Sequence, residues 1–197
     1  VNDFTEINGS IVCGSADGKL YQIKEDTLVA SATCASAVQQ VQTVGDLVFA
    51  GEQNGTVSVH NPHLFTPYTA GVTTGSTGKR KKKKVDCNQY NAVTSATLHD
   101  DCITAILKMT DTHKLTTCGH DRRIQQLDTT TLSRVCSVLS PSHITTAASL
   151  SSYTLQALGH ADGHLRLYDP TSNRFTYSTA KSPSKPWISS VSRNKQK

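Results

Sequence analysis

Short runs in which every second residue is apolar recur along the chain, and each follows a tight polar turn. Thr56-Val57-Ser58-Val59 is one of them. A period of two buries one face of a β-strand. The scheme repeats in four segments: Val12–Ile23, Phe49–His60, Thr117–Asp128 and Leu158–Asp169. Each reads as a strand, a turn, and a second strand ending at a large side chain. Asp17, Asn54, Asp121 and Asp162 mark the turns. Asp-Gly and Asn-Gly at such places predict two-residue hairpin loops with positive φ angles. Abundant Ser and Thr, 12 Gly and 6 Pro fit many short strands better than long helices.

The turn residues are 37, 67 and 41 positions apart. The long interval contains a Gly/Thr/Ser stretch and a run of cations. Removing roughly 26–30 inserted residues restores a period near 40, the length of a four-stranded propeller blade. The flanks agree: residues 98–106 have the form of a first strand entered through a loop containing His99. Residues 37–41 and 144–147 hold the same place in neighbouring repeats.

The predicted fold is therefore all-β, a propeller of about four blades. Blade 1 is expected over residues 1–35 and blade 2 over 36–98, with a basic insertion at 69–91. Blade 3 is expected over 99–140 and blade 4 over 141–180. Residues 181–197 form either a basic tail or the start of a further blade, with Trp187–Val191 as its first strand. Four blades leave an edge strand and an open core, so the propeller is expected to be partial and unclosed. Either the sequence is a piece of a longer chain, or partners complete it.

These segments resemble the WD-repeat family, whose blades carry Gly-His, then Ser-Gly-Ser-x-Asp, then Trp-Asp. The final dipeptide is replaced here by Ile23-Lys24, His60-Asn61, Leu127-Asp128 and Tyr168-Asp169. The resemblance implies a hydrogen-bond network of His, Ser or Thr, Asp and Trp inside a blade. The third repeat offers His99, Thr117 and Asp121 for it, with Leu127 where Trp would sit. That role is structural, and a catalytic reading of the same three residues is set aside because the repeat already explains their spacing.

A narrower likeness covers about residues 79–191. A basic loop precedes the last strand of a blade, then come His99-Asp100-Asp101-Cys102-Ile103-Thr104 and Asp121-Arg122-Arg123-Ile124-Gln125-Gln126-Leu127-Asp128. His164-Leu165-Arg166-Leu167-Tyr168-Asp169-Pro170 and Trp187-Ile188-Ser189-Ser190 follow. This order is similar to that of the WD-repeat subunits of pescadillo–Bop (PeBoW) complexes, which mature the large ribosomal subunit. The likeness implies docking on another propeller of a ribosome-assembly complex, a part in rRNA processing, and a nuclear, nucleolar location.

Charge sharpens the picture. Lys79, Arg80, Lys81, Lys82, Lys83 and Lys84 are consecutive, and six more cations follow Asp169 without an acidic residue among them. The rest of the chain holds eight Lys or Arg against all fifteen Asp and Glu. The net charge of +5 is thus a mildly acidic body with two basic appendages. The run reads as a nuclear import signal, as a contact with the phosphates of pre-ribosomal RNA, or as a solvated loop without a partner.

The six cysteines are at least 15 residues apart and are expected to be reduced, mostly filling strand interiors. His60 with His63, and His160 with His164, lack a third ligand at metal spacing, so neither a metal nor a cofactor is expected. No window supplies the eighteen or so apolar residues of a membrane span, and no membrane partner is expected. The expected function is a non-enzymatic protein-binding scaffold with no small-molecule substrate. An RNA-binding protein gripping through its basic segments, or a WD-repeat adaptor in another pathway, remain as alternatives.

Overall fold

A computed structural model describes residues 1–68, 92–109, 113–150, 154–180 and 188–191. The whole 69–91 insertion with its lysine run, and Trp187, lie outside these described residues. Four antiparallel sheets follow one another along the chain as an unclosed set of propeller blades. Blade 1 contains β1 (Asp3–Ile7), β2 (Ser10–Gly14), β3 (Lys19–Lys24) and β4 (Thr27–Thr33). Blade 2 contains β5 (Val38–Val44), β6 (Leu47–Glu52), β7 (Thr56–His60) and β9 (Ala92–Thr97), with β8 (Thr66–Pro67) between the last two in sequence. Blade 3 runs through β10 (Ile103–Lys108), β11 (Lys114–Gly119), β12 (Arg123–Asp128) and β13 (Arg134–Leu139). Blade 4 runs through β14 (Ile144–Ser149), β15 (Gln156–His160), β16 (Leu165–Asp169) and β17 (Arg174–Ser178).

The repeat extends to the irregularities. The ladder between third and fourth strands is interrupted at Gln22/Ile23, Val59/His60, Gln126/Leu127 and Leu167/Tyr168, the same place in every blade. These are the positions where the family carries Trp. A bulge there turns the side chain into the blade and increases the local twist. A second interruption recurs in the first strands, at Val38/Gln40, Ile103/Ala105 and Ile144/Thr146.

Three apolar clusters hold the blades together, one per interface. Ile7, Val12 and Leu20 pack with Val38, Val41 and Val48 between blades 1 and 2. Phe49, Val57 and Val59 meet Ile103, Leu115 and Leu127 between blades 2 and 3. Ile124 and Cys118 meet Ile144, Leu158 and Tyr168 between blades 3 and 4. Each fully buried Val, Leu or Ile contributes on the order of 1.5–3 kcal/mol, so every interface is a small core of its own. The approach is close enough to require glycine at the end of the second strand. A Cβ on Gly51 would stand 2.7 Å from Ile103 Cγ2, and one on Gly159 would stand 2.7 Å from Ile188 Cγ2.

The Gly159 contact places the segment after blade 4. Ile188 donates its amide to His160 O at 3.2 Å and accepts at its carbonyl from Thr145 Oγ1. Val38 donates in the same way to Ser15 O where blade 2 begins. Ile188 therefore occupies the position of a next first strand, although residues 188–191 form no ladder and are not a strand. A single docked residue lacks the neighbouring strand that would complete the ladder.

Two further corrections concern loops. The turns at Asp17, Asn54, Asp121 and Asp162 are not two-residue hairpins. Gly18 N bonds Ser15 O, Gly55 N bonds Glu52 O, Arg122 N bonds Gly119 O and Gly163 N bonds His160 O. Only the residue after each Asp or Asn has positive φ, 76°, 81°, 64° and 82° respectively. That is a type I turn followed by a left-handed residue, a three-residue loop. The Asp or Asn caps the turn instead: Asn54 Oδ1 accepts from Thr56 N, Asp121 Oδ1 from Arg123 N, and Asp162 Oδ1 from His164 N. Two-residue turns with both φ angles positive do occur, at Asn8-Gly9 and Glu25-Asp26.

The third-to-fourth connection of blade 2 also departs from a plain loop. Asn61 Oδ1 caps a 3₁₀ turn at Pro62–Leu64 by accepting from His63 N, and β8 then pairs with β4 as a fifth strand on blade 1. Pro67 has no N–H to offer a further strand, which suits this outer edge. A two-residue strand has no sequence pattern to reveal it.

Candidate functional site

Blade 3 brings together the three residues that the family resemblance selects. His99 enters from the loop before β10, Thr117 lies on β11 and Asp121 in the β11–β12 turn. Thr117 Oγ1 donates to His99 Nε2 at 2.9 Å, and the Nδ1–H donates to the Asp121 carboxylate at 3.0 Å to both oxygens. Asp121 also accepts from Asp100 N at 3.1 Å and Arg123 N at 2.9 Å. Burial lowers the His99 pKa despite the Asp121 charge, so the ring is neutral and this tautomer satisfies both nitrogens. Burial alone would raise the Asp121 carboxyl, but the Arg123 amide, the His99 ring and the Asp100 amide outweigh it and hold it below the usual range. Thr117 is fully buried, so its hydroxyl is closed to any substrate. The network ties the incoming loop to the turn. Leu127, fully buried at the Trp place, contributes packing and no hydrogen bond.

The network recurs in blades 2 and 4 with other residues, which the sequence reading missed. The registers Ile103↔Gly119, Val38↔Glu52 and Ile144↔His160 make Gly119, Glu52 and His160 equivalent positions. A Cβ on Gly119 would lie 2.5 Å from His99 Nδ1, so blade 3 leaves that space to the loop histidine. Blade 2 fills it from the strand. Glu52 is fully buried, and its Oε2 accepts from Ser36 N at 2.7 Å while Oε1 accepts from Ser58 Oγ at 2.7 Å. Ser58 Oγ also lies 2.9 Å from His60 Nε2, which is 3.5 Å from the Cys34 sulfur. Burial raises the Glu52 carboxyl above its usual range, against the opposing pull of Ser58 and the Ser36 amide. Burial and the Glu52 charge push the Cys34 thiol up to about 12, which removes it as a nucleophile at neutral pH.

In blade 4, His160 fills the place, with Nδ1 3.3 Å from Ser140 Oγ and from Ser142 O. Burial and then the Arg166 charge lower it to about 4. Asp162 forms a two-pronged pair with Arg166, at 3.1 and 2.7 Å, which holds its carboxyl well below the carboxylate range. Among the described residues no group of three His, Cys, Asp or Glu is placed to hold a metal. No helix among them is long and apolar enough to cross a membrane.

A pocket of about 250 Å³ opens in the wedge between blades 1 and 2, with Glu52, Ser58 and Cys34 among its walls and Thr33, Thr94 and Ser95 at its rim. The candidate targeting or RNA-contact residues Lys79, Arg80, Lys81, Lys82, Lys83 and Lys84 lie outside the described residues.

No protein-family model matches the chain, and no curated protein matches it in sequence. Solved structures do match in fold. The WD40 β-propeller domain of Doa1 superposes with a TM-score of 0.71 at 14% identity, over 96% of this chain and 55% of that one. A chain of the mitotic checkpoint complex superposes with a TM-score of 0.67 at 12% identity, over 87% of this chain and 47% of that one. The chain thus spans about half the length of these neighbours, and what it shares with them is the architecture of the WD40 β-propeller.

Proposed function

We propose that the chain is a non-enzymatic scaffold that docks other proteins on the loops and edges of its blades. The observation that carries this reading is how the reactive side chains are used. His99, Thr117, Asp121, Glu52, Ser58 and His160 all bond to neighbouring side chains or backbone within the sheets, and Thr117, His99 and His160 are closed to solvent. Rigid strands with variable connections suit recognition, because loops can change without disturbing the core. One neighbour in fold belongs to a multi-protein complex, which supports partners of the same class.

The finer reading is a scaffold for nucleolar assembly of the large ribosomal subunit, in contact with another propeller. It rests on the order of residues described above and on the Lys79–Lys84 run as an import signal. The test is affinity purification of the tagged chain with mass spectrometry, beside a version with residues 79–84 changed to Gln. Recovery of pre-ribosomal proteins, lost when the variant leaves the nucleus, is the expected result. Recovery only of cytoplasmic partners, with an unchanged location, overturns the ribosomal reading and leaves an adaptor in another pathway. Retention on RNA that falls steeply with salt and vanishes with the Gln variant makes the chain an RNA binder instead.

A further inference from the structure

A second pocket, of about 190 Å³, opens at the other end of the strands, where the turns of blade 1 meet the third-to-fourth connection of blade 2. The repeat explains why it is there. The last third-strand residue before the interrupted ladder is Gln22, Val59, Gln126 and Leu167 in blades 1 to 4. Between blades 3 and 4 the Gln126 amide donates to Pro170 O and, at 2.7 Å, to Asn173 Oδ1, which also accepts from the Tyr168 hydroxyl at 2.9 Å. Between blades 2 and 3 Val59 shares one apolar cluster with Leu132. Leu132 and Asn173 hold the same place in their connections, and their left-handed φ angles of 55° and 58° match. In blade 2 that place falls to Phe65, where the 3₁₀ turn sets φ to −65°. Its ring lies against His60, at 6.3 Å, and Gln22 is left facing Pro62 and His63 across an open space.

The walls of that space are rich in donors. Ser10, Gln22 and Lys24 share the period-two face that turns Val12 and Leu20 towards blade 2. Ser10 is 5% exposed, and among the described residues neither its hydroxyl nor the half-buried Gln22 amide has a hydrogen-bond partner. Asn8, also in the wall, gives its amide to Asp46 at 3.4 Å. The position of Lys24 holds Asn61, Asp128 and Asp169 in the other blades, where the side chain caps the next turn by accepting from His63 N, Thr130 N and Thr171 N. Blade 1 turns there through Glu25-Asp26 alone, both with positive φ, and needs no such cap. The position is thus free to carry a cation. Among the described residues no acid pairs with Lys24, and no carboxylate lines the pocket.

We propose that this pocket binds one carboxylate side chain, Asp or Glu, of a partner protein, held by Lys24, Gln22 and Ser10. The wedge between blades 3 and 4 shows the fit, because the oxygen of a short side chain, Asn173, accepts there from the residue equivalent to Gln22. Lys24 makes a charged acceptor the better match, since a hydrogen bond involving an ionised group is roughly twice as strong as a neutral one. The inference rests on the scaffold reading and adds a subsite to it.

The test is titration of the full chain with the tripeptides acetyl-Ala-Asp-Ala-amide and acetyl-Ala-Glu-Ala-amide, read from amide shifts. The expected result is saturable binding, with shifts confined to residues 8–10, 22–24 and 63. The Asn and Gln counterparts bind about tenfold more weakly, as do the acidic tripeptides on Lys24→Asp or Gln22→Leu, each change removing one charge-assisted hydrogen bond. Both variants carry residue types that blade 4 has at the same positions, Asp169 and Leu167, so the β-sheet circular dichroism is expected to stay unchanged. Equal affinity for the Asn and Gln counterparts overturns the proposal, as does undiminished binding to Lys24→Asp. Tighter binding of the phosphoserine tripeptide or of inorganic phosphate overturns the choice of a carboxylate. Partner proteins recovered by purification beside a silent titration remove the pocket and leave the scaffold standing.

Discussion

Replacing Asp121 by Ala removes the acceptor for three donors at once: the His99 ring N–H, the Asp100 amide and the Arg123 amide, at 3.0, 3.1 and 2.9 Å. The two amides lie at a turn where water can replace the carboxylate, so each loss is about 0.5–1 kcal/mol. His99 is 1% exposed, and its N–H would be stranded at a cost of about 2–3 kcal/mol. The expected destabilisation is therefore about 3–5 kcal/mol, a large share of the roughly 5–15 kcal/mol that holds a domain folded. Asp121→Asn keeps one acceptor oxygen and is expected to lose about half as much. Urea unfolding followed by circular dichroism, compared at matched slopes, measures both. The effect has a pH signature. The Asp121 carboxyl is held below its usual range, so its contribution is present above the unfolded-chain pKa of about 3.9 and fades as pH falls through the lower folded value. A loss below about 1 kcal/mol for Asp121→Ala, or equal losses for Ala and Asn, would refute the claim that the carboxylate ties loop to turn.

Three further outcomes follow from particular positions. Arg122 is the only one of the four turn residues with positive φ that is not glycine, so Arg122→Gly is expected to raise stability by about 0.5–1 kcal/mol in the same urea assay, and Arg122→Val to lower it. Gly119→Ala puts a Cβ 2.5 Å from His99 Nδ1 and 2.7 Å from Asp121 Oδ1. It is expected to cost about 2–4 kcal/mol, and much less when made on top of Asp121→Ala, because both changes break one network. His160 is lowered to about 4 in the folded state, whereas the unfolded chain takes up that proton below about 6.5. Stability is expected to fall as pH drops between those values, by about 3 kcal/mol, and the His160→Gln difference curve isolates the effect from His99.

The blades were legible because propeller strands carry the period-two pattern and a turn signal in each repeat. Val12, Val57 and Ile124 announce their buried faces without help from any other blade. The blade-3 network was legible because His99, Thr117 and Asp121 keep the residue types that a family pattern can select. The turn type was misread for a physical reason: Asp-Gly supports a two-residue turn or a left-handed residue after a type I turn, and the length of the loop decides between them. β8 and the docking of Ile188 depend on pairing with distant strands, at β4 and β15, and nothing local encodes either. The Glu52 cluster escaped notice because a Glu before a turn looks like any solvated acid. Only the register Val38↔Glu52 puts it inside.

That register also explains how the propeller fold stands without most of the residues that the WD-repeat pattern expects. The space at the end of each second strand must supply a polar partner to the loop or to a neighbouring strand, since backbone groups buried there would otherwise go unpaired. Blade 3 supplies it from the loop through His99, which requires Gly119 to stay small. Blade 2 supplies it from the strand through Glu52, and Ala35 stands at the His99 position, since Cys34 N bonds Gly18 O as Leu98 N bonds Gly55 O. Blade 4 supplies it through His160, with Ser140 opposite. The three solutions exclude one another sterically, because a strand side chain and a loop histidine claim the same volume. Blade 2 differs from blade 4 in one respect. Its partner is a carboxylate, and the positions that would cover it, Ser58 and Ala92, are small. A buried acid beneath an open wedge is costly for folding alone, whereas His160 beneath Phe175, at a ring separation of 6.3 Å, is neutral and covered. The same repeat position is thus filled by a neutral ring under an aromatic cover in one blade and by a hydrogen-bonded carboxyl group in another.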